Sequence, residues 1–455
     1  MSTESTKQSR RHFVKVAAAT GLAMPFIASN WSRAVSPNGK IQHASIGVGG
    51  MMGFNDLQEF SHHPKVEIAA ICDVDKNHLK KAAEAFPNAR QYTDWRELLE
   101  KEGSKIDTVN VTVPDHMHYA IAHAAIKAGK NVYCQKPLCH DVGEVRRLNQ
   151  ESAKAKVITQ LGTQIASGIG DLTTVRLLKD KAVGKVKRVV LCSNRPGAIK
   201  DYRLVGPRPA QGSNPPDTIN WDHWIGDAPM RPYVPDIYHP VRWRAWQDFG
   251  TGWLGDIGCH IFDAVWKGLN LHAPLSVVAE VQSSWKDSPA RRGDTWPQSD
   301  HVTWTFPGNE YTADKELIVE WFDGEMFPPK DVRDLFTMDE YPAEGSMTIG
   351  TEGALLLPHT KQPWLLPDTK FHDYKQPKLE GRNHYHHFID ACLGVAKNES
   401  HFQQTGPMAE AILLGTVAVR CPDQVLKWDA AAMKVTNCEE ANKYLNREYR
   451  PGWIL

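Results

Sequence analysis

One short string limits this chain more than any other: Gly47-Val48-Gly49-Gly50-Met51-Met52-Gly53. It closes an apolar run, Ile41–Gly47, and opens into the helical spacing of Phe54–His62. Glycines at such a turn let the chain double back tightly and bring backbone N–H groups close to a pyrophosphate at the helix N-terminus. The third glycine of G-x-G-x-x-G is displaced by one, since position 52 is Met and Gly53 follows. The next apolar run, Val66–Cys72, leads into Asp73, about 20 residues past the last glycine. An acid there accepts hydrogen bonds from an adenosine ribose 2′-OH and repels a 2′-phosphate. The pattern predicts an NAD site that includes Gly47, Gly49, Gly50, Met51, Met52 and Asp73, with Asp75 competing for the ribose role.

The same rhythm continues. Apolar strands are expected over Ile106–Val113, Asn131–Cys134 and Val157–Leu161, and helices over Asn77–Phe86, Asp94–Glu102 (Asp94 as cap), His118–Ala128 and Val142–Ala153. Continuous apolar strands separated by helices predict a parallel sheet covered on both faces. After about Ala166 the texture changes. A helix near Leu172–Asp180 and a strand over Val186–Cys192 precede a Pro/Gly/Trp-rich stretch, 196–246. Then come a helix over Trp253–Leu269, strand-like segments at Leu275–Trp285, Ser299–Phe306 and Glu316–Phe322, and helices near His384–Gly394 and Pro407–Arg420. The expected fold is α/β: an N-terminal Rossmann dinucleotide-binding domain over 40–165, then an α+β domain over 166–455 with a mostly antiparallel open sheet. At about 150 residues per domain, a chain of 455 residues has room for both.

Residues 1–34 read as an address. Ser9-Arg10-Arg11-His12-Phe13-Val14-Lys15 sets a twin Arg before an apolar stretch too short to span a bilayer, and Ser32-Arg33-Ala34 offers a cleavage site. The string resembles a twin-arginine (Tat) export signal, which implies the export machinery as a partner and a periplasmic or otherwise exported protein. No other apolar run is long enough for a membrane span. Lys+Arg and Asp+Glu balance at 53 each, which gives no electrostatic reason to expect nucleic acid or an anionic membrane. The eight Cys have no C-x-x-C pair and no metal-ligand spacing, and Cys72, Cys134 and Cys192, in or beside apolar runs, read as buried thiols. The fifteen Trp suit stacking on sugar rings and equally suit core filling.

Chemistry collects at the carboxyl ends of the parallel strands, where open α/β sheets bind ligands. One strand leads into Pro114-Asp115-His116-Met117-His118, another into Gln135-Lys136-Pro137, and far downstream stands Gly255-Asp256-Ile257-Gly258-Cys259-His260. Together with the glycine turn these resemble the Gfo/Idh/MocA family, named for glucose–fructose oxidoreductase, inositol dehydrogenase and a rhizopine catabolism protein. The resemblance runs over essentially the whole mature chain. The family's E-K-P motif reads Gln135-Lys136-Pro137 here, so a negative charge beside Lys136 is missing. Its D-x-x-x-H motif reads Asp256 to His260, whose i,i+4 spacing puts both on one helix face, with Asp263 three residues on.

The resemblance implies cofactor contacts from Pro114, His118, Gln135 and Lys136, and catalytic roles for Lys136, Asp256 and His260. A histidine with an unperturbed pKa near 6.5 can take a hydroxyl proton while the carbon loses hydride. Lys136 can stabilise the alkoxide, or share the base role if neighbouring cations lower its pKa, and Asp256 can orient substrate. Gln164, Arg242, Trp243 and Arg244 are further substrate candidates, the last three in Tyr238-His239-Pro240-Val241-Arg242-Trp243-Arg244. His384, His387 and Asp390 have ligand-like spacing on one helix, but an ion-paired helix is the commoner outcome and no metal is expected. The resulting expectation is a sugar, polyol or glycoside oxidoreductase with tightly held NAD, acting as a homo-oligomer (dimer or tetramer). Transient oxidation could also serve to cleave a glycoside. The contrasting reading is a non-catalytic NAD-binding or scaffold protein, which only Gln135 favours.

Overall fold

The structure is a computed structural model that describes residues 39–196 and 207–453. The export signal expected over 1–34 lies outside the described residues. Six parallel strands form the first sheet: β1 (Ile41–Ile46), β2 (Val66–Cys72), β3 (Arg90–Tyr92), β4 (Thr108–Val111), β5 (Asn131–Cys134) and β6 (Thr159–Leu161), in the order β3-β2-β1-β4-β5-β6. Helices α1 (Gly53–Ser61), α2 (Lys76–Ala85), α3 (Trp95–Glu102), α4 (His118–Lys127) and α5 (Val142–Ala155) connect them. β4 is buried at every position because helices cover both faces. Asp94 caps α3 by accepting from Arg96 N at 2.9 Å, as its place before the apolar spacing predicted. The strand order reverses between β1 and β4, which opens a crevice at their carboxyl ends.

After α6 (Ile169–Lys179) the second sheet begins: β7 (Val186–Ser193), β8 (Ser276–Val281), β9 (Asp300–Pro307), β10 (Glu316–Asp323), β11 (Glu344–Gly350), β12 (Ala354–Pro358), β13 (Trp364–Leu366), β14 (Leu426–Asp429) and β15 (Lys434–Val435). Their order is β13-β12-β11-β7-β10-β9-β8-β14-β15, and only the β7–β10 pair is parallel. Helices α7 (Gly252–Gly268) and α9 (Phe402–Arg420) pack on it, with Trp304 Nε1 donating to Ala411 O at 2.9 Å.

Two expected elements differ. The segment Leu275–Trp285 leaves the sheet after Val281, because Trp285 turns into the core in a short helical turn, Ser283–Lys286, and donates to Thr295 O at 2.8 Å. Helix α9 starts at Phe402 rather than Pro407, so the proline that reads as a helix start lies inside the helix.

Two segments leave their own sheet to pack on the first domain. Helix α8 (His384–Cys392) lies against α1, and Tyr385, Phe388 and Ile389 share a core with Leu57 and Phe60. The irregular stretch 207–250 builds a small aromatic core of Trp221, Trp224, Tyr238, Trp246 and Phe249. It docks on the β2–α2 turn, where Lys76 N donates to Thr218 O at 2.8 Å and Asn220 N to Val74 O at 3.0 Å.

Candidate functional site

The crevice is a cleft of about 560 Å³ with walls from both sheets. That size suits a small organic ligand. Gly47 has φ +83°, and a Cβ there would stand 2.0 Å from Thr112 O. Gly53 begins α1 so close to the turn that a Cβ would lie 2.6 Å from Gly47 O. The displaced glycine therefore serves close strand–helix packing, and Gly47, Gly49, Gly50, Met51 and Met52 all line the cleft. The α1 N-terminus has no side-chain cap, which leaves its amides toward the same space.

Asp73 lines the cleft, with its carboxylate accepting from Val48 N at 3.0 Å and Asp75 N at 2.9 Å. Asp75 is otherwise engaged, capping α2 through Asn77 N at 2.8 Å and meeting His239 Nε2 at 3.1 Å. The acid presented at the β2 end is thus Asp73. His78 Nδ1 lies 3.6 Å from Asp73, and the carboxylate holds that imidazole above its usual pKa. Asp75, His78 and His239 bring their potential ligand atoms within 4.8 Å of one another. Trp224 Nε1, which can only donate, gives its proton to His239 Nδ1 at 3.1 Å. His239 must then carry its proton on Nε2, toward Asp75, so the group is a Trp–His–Asp hydrogen-bond chain rather than a ready cation cage.

At the other end Lys136 Nζ donates to Asp256 Oδ1 at 2.6 Å and to Asp256 O at 2.9 Å. Arg244 Nε is 3.6 Å from Asp256 Oδ2, and its guanidinium stacks 4.2 Å from the Trp243 ring. Lys136 therefore shares the Asp256 carboxylate with Arg244. His260 sits one helical turn beyond Asp256, and burial first, then Lys136 and His359, push its imidazole well below the usual range. Pro114, Gln135 and Gln164 complete this wall.

Two expected contacts are corrected. His118 is buried outside the cleft, with Nδ1 2.6 Å from Pro137 O and Nε2 2.9 Å from Val113 O, so it braces the turn that carries Lys136. Arg242 is exposed, because the 3₁₀ turn Arg242–Ala245 points Trp243 and Arg244 inward and Arg242 out. The His384 cluster is also divided. His384 meets Ser167 Oγ at 2.7 Å and Leu161 O at 2.8 Å, His387 faces Arg382, and Asp390 pairs with His63.

Several lining residues were not among the sequence candidates. Asp115 accepts from Thr251 N at 3.1 Å and Thr251 Oγ1 at 2.9 Å. Burial, with Asp256 adding, pushes its carboxyl up to about 7 against the pull of Arg244 and Lys136. It stood inside the Pro114–His118 string and was legible there. Arg195, His223, Trp253 and His359 reach the cleft from separate loops and elements with no local signal. Among the described residues, Trp95, Trp224, Trp243 and Trp253 line the cleft, whereas Trp246, Trp285, Trp304 and Trp321 fill cores. The Trp content serves both purposes.

Residues 41–163 match an oxidoreductase family described as the NAD-binding Rossmann fold, and 173–325 match the C-terminal alpha/beta domain of the same family. A levoglucosan dehydrogenase from Pseudarthrobacter phenanthrenivorans is 25% identical over 220 residues, 47% of this chain and 45% of that one. A glycosyl hydrolase family 109 protein from a Shewanella species is 27% identical, over 39% of this chain and 44% of that one. The matched stretches thus span under half the length of these relatives. Among solved structures, the WlbA dehydrogenase from Bordetella pertussis, in complex with NADH and UDP-GlcNAcA, superposes with a TM-score of 0.58 at 14% identity, over 86% of this chain and 99% of that one. At that identity the likeness is one of fold.

Proposed function

The chain belongs to the Gfo/Idh/MocA family of oxidoreductases, and on that footing we propose that it oxidises a hydroxyl of a sugar, polyol or glycoside with an NAD that it keeps from one turnover to the next. The observation that carries this reading is the Lys136–Asp256 contact of 2.6 Å. It joins the end of β5 to α7 and sets His260 beside them, so one hydroxyl could meet a cation, a carboxylate and a neutral imidazole.

The residues suit NAD: the glycine turn leaves no room for a Cβ at positions 47 and 53, and Asp73 offers a carboxylate to a ribose hydroxyl. NAD, when bound, supplies the hydride acceptor. Asp256 and Arg244 orient substrate hydroxyls, while Trp243 gives a sugar face to stack on. Lys136 Nζ stabilises negative charge as it develops on the substrate oxygen, and His260 takes the proton. The ion pair also weighs against the scaffold reading, since it has no need to face a cleft in a purely structural protein.

Retention of the cofactor is supported by the segment 207–250, which closes over the β2–α2 turn at the adenosine end. It also agrees with the export signal we assign to 1–34, because outside the cytoplasm there is no free NAD pool to draw on. A periplasmic enzyme can meet that constraint by returning the hydride within one cycle. Oxidation at a sugar C3 hydroxyl acidifies the C2 proton, elimination expels the C1 substituent, water adds, and C3 is reduced again. The similarity to the glycosyl hydrolase family 109 protein of Shewanella favours this glycoside-cleaving form. A homo-oligomer would form on the sheet face away from α7 and α9, where Thr305, Ile318 and Arg188 stand side by side.

The test is a panel of glycosides, sugars and polyols given to the protein with its copurified cofactor and no added NAD. Net hydrolysis without lasting change in nicotinamide absorbance supports redox-assisted cleavage, and a keto product with reduced cofactor supports a dehydrogenase. A panel in which no member changes the bound nicotinamide or yields product contradicts the proposal.

A further inference from the structure

Asp56, in the first turn of α1, is wholly buried, yet its carboxylate reaches two of the strand ends that line the cleft, at Thr112 and Gln135, and Tyr385 of α8. Oδ2 accepts from Thr112 Oγ1 at 2.7 Å and from Gln135 Nε2 at 2.8 Å, and Oδ1 accepts from Tyr385 OH at 2.7 Å. Burial pushes the carboxyl up to about 6, while Gln135, Thr112, Tyr385 and Asn55 pull the other way, so above that pH it is ionised and can only accept.

That single constraint sets the sense of the whole network. Gln135 must offer Nε2 to Asp56, which turns its Oε1 the other way, where it accepts from Lys136 N at 3.2 Å. Gly162 makes room for this oxygen, since a Cβ there would stand 2.7 Å from it. Tyr385 must give its proton to Asp56, so its oxygen accepts from Gln164 Nε2 at 3.2 Å, which turns the nitrogen of this cleft-lining residue to the tyrosine. Both primary amides at the ends of β5 and β6 thereby turn their nitrogens toward the Asp56–Tyr385 pair, and both residues line the nicotinamide half of the cleft.

We propose that Asp56 is a positioning residue that locks Gln135 and Gln164 with their oxygens toward the cleft, so that the site selects an N–H donor there, the carboxamide of nicotinamide, over a carboxylate. This rests on the NAD reading above. It also accounts for Gln135 where the family motif has Glu: the carboxylate resides on Asp56, and a second one 2.8 Å away would oppose it.

The test is an exchange experiment at pH 8. Holoprotein is incubated with equal, excess NAD and nicotinic acid adenine dinucleotide, washed and denatured, and the two dinucleotides are counted by mass spectrometry. Wild type is expected to retain NAD over the acid form by about tenfold or more, the scale of leaving a buried acceptor without its donor. Asp56→Asn can donate to Gln135 and let it flip, so its ratio should fall to within about threefold. The exchange Asp56→Asn/Gln135→Glu restores a carboxylate facing an amide and should recover the wild-type ratio. It keeps the question open to decision if the single variant folds poorly. A ratio unchanged in Asp56→Asn, or one that the double exchange leaves lost, overturns the inference. Purified wild type that holds no nicotinamide dinucleotide overturns the NAD reading instead.

Discussion

The two ends of the cleft are built differently. At the adenosine end, side chains are tied to one another and to backbone: Asp73 to two amides, Asp75 to α2 and His239, and His239 to Trp224, under the aromatic core of 207–250. At the nicotinamide end, ionisable groups face the cavity in a cluster of Lys136, Asp256, Arg244, Asp115 and His260. On the proposed function, one end holds the cofactor and the other carries the chemistry. Changes at the first should alter cofactor loss with little effect on chemistry, and changes at the second the reverse.

The largest expected effect sharpens that contrast from the reacting end. Lys136→Ala and Asp256→Ala should each retain NAD yet lose turnover by about 10²-fold or more, the scale of a positioned polar or acid–base group. Single-turnover absorbance of the bound nicotinamide checks this. Turnover intact in both variants would remove the ion pair from the reaction. Next comes Asp73→Ala, which should loosen NAD about tenfold and relax discrimination against NADP, since a charge-assisted hydrogen bond is lost. Dialysis followed by cofactor assay reads it, and undiminished retention would break the contrast at its holding end.

Trp224→Phe removes the proton that fixes His239. It should speed NAD release about fivefold, as expected for one neutral hydrogen bond, while leaving the turnover of loaded protein unchanged. A fall in turnover without faster release would put Trp224 among the reacting groups. The smallest effect concerns stability. The Asp115 carboxyl, raised to about 7 when folded against about 4 unfolded, contributes stability that is full below pH 4 and lost as pH rises through 7. Asp115→Asn does not titrate, so its Tm relative to wild type should be about 2–4 °C more favourable at pH 8 than at pH 5. An equal difference at both pH values would mean that Asp115 is not buried as an acid.

The same division explains what the sequence made legible. The holding end follows local rules: a glycine turn, a strand, an acid about 20 residues on, and Asp94 before its helix. Those rules placed five of the six strands of the first sheet, missing the three-residue β3, set Asp73 at the end of β2 and read the displaced Gly53 as part of the motif. The reacting end is assembled from distant pieces. Lys136 and Asp256 were recoverable because each carries a family motif, but His359, Arg195 and Asp56 were not, since nothing local marks a residue whose partners lie far along the chain. His118 and Arg242 failed for a related reason: a motif names positions, whereas backbone carbonyls and the phase of a 3₁₀ turn decide where side chains point. Strands β12 to β15 went unread because none has more than 5 residues, too few to display a period.

Retention of NAD is the claim on which the comparison of the two ends depends. It is tested most directly by dialysing purified mature protein extensively, denaturing it and quantifying the nicotinamide dinucleotides released. The account predicts close to one NAD(H) per chain and little NADP(H). Protein that releases no nicotinamide, or mainly NADP(H), would contradict it.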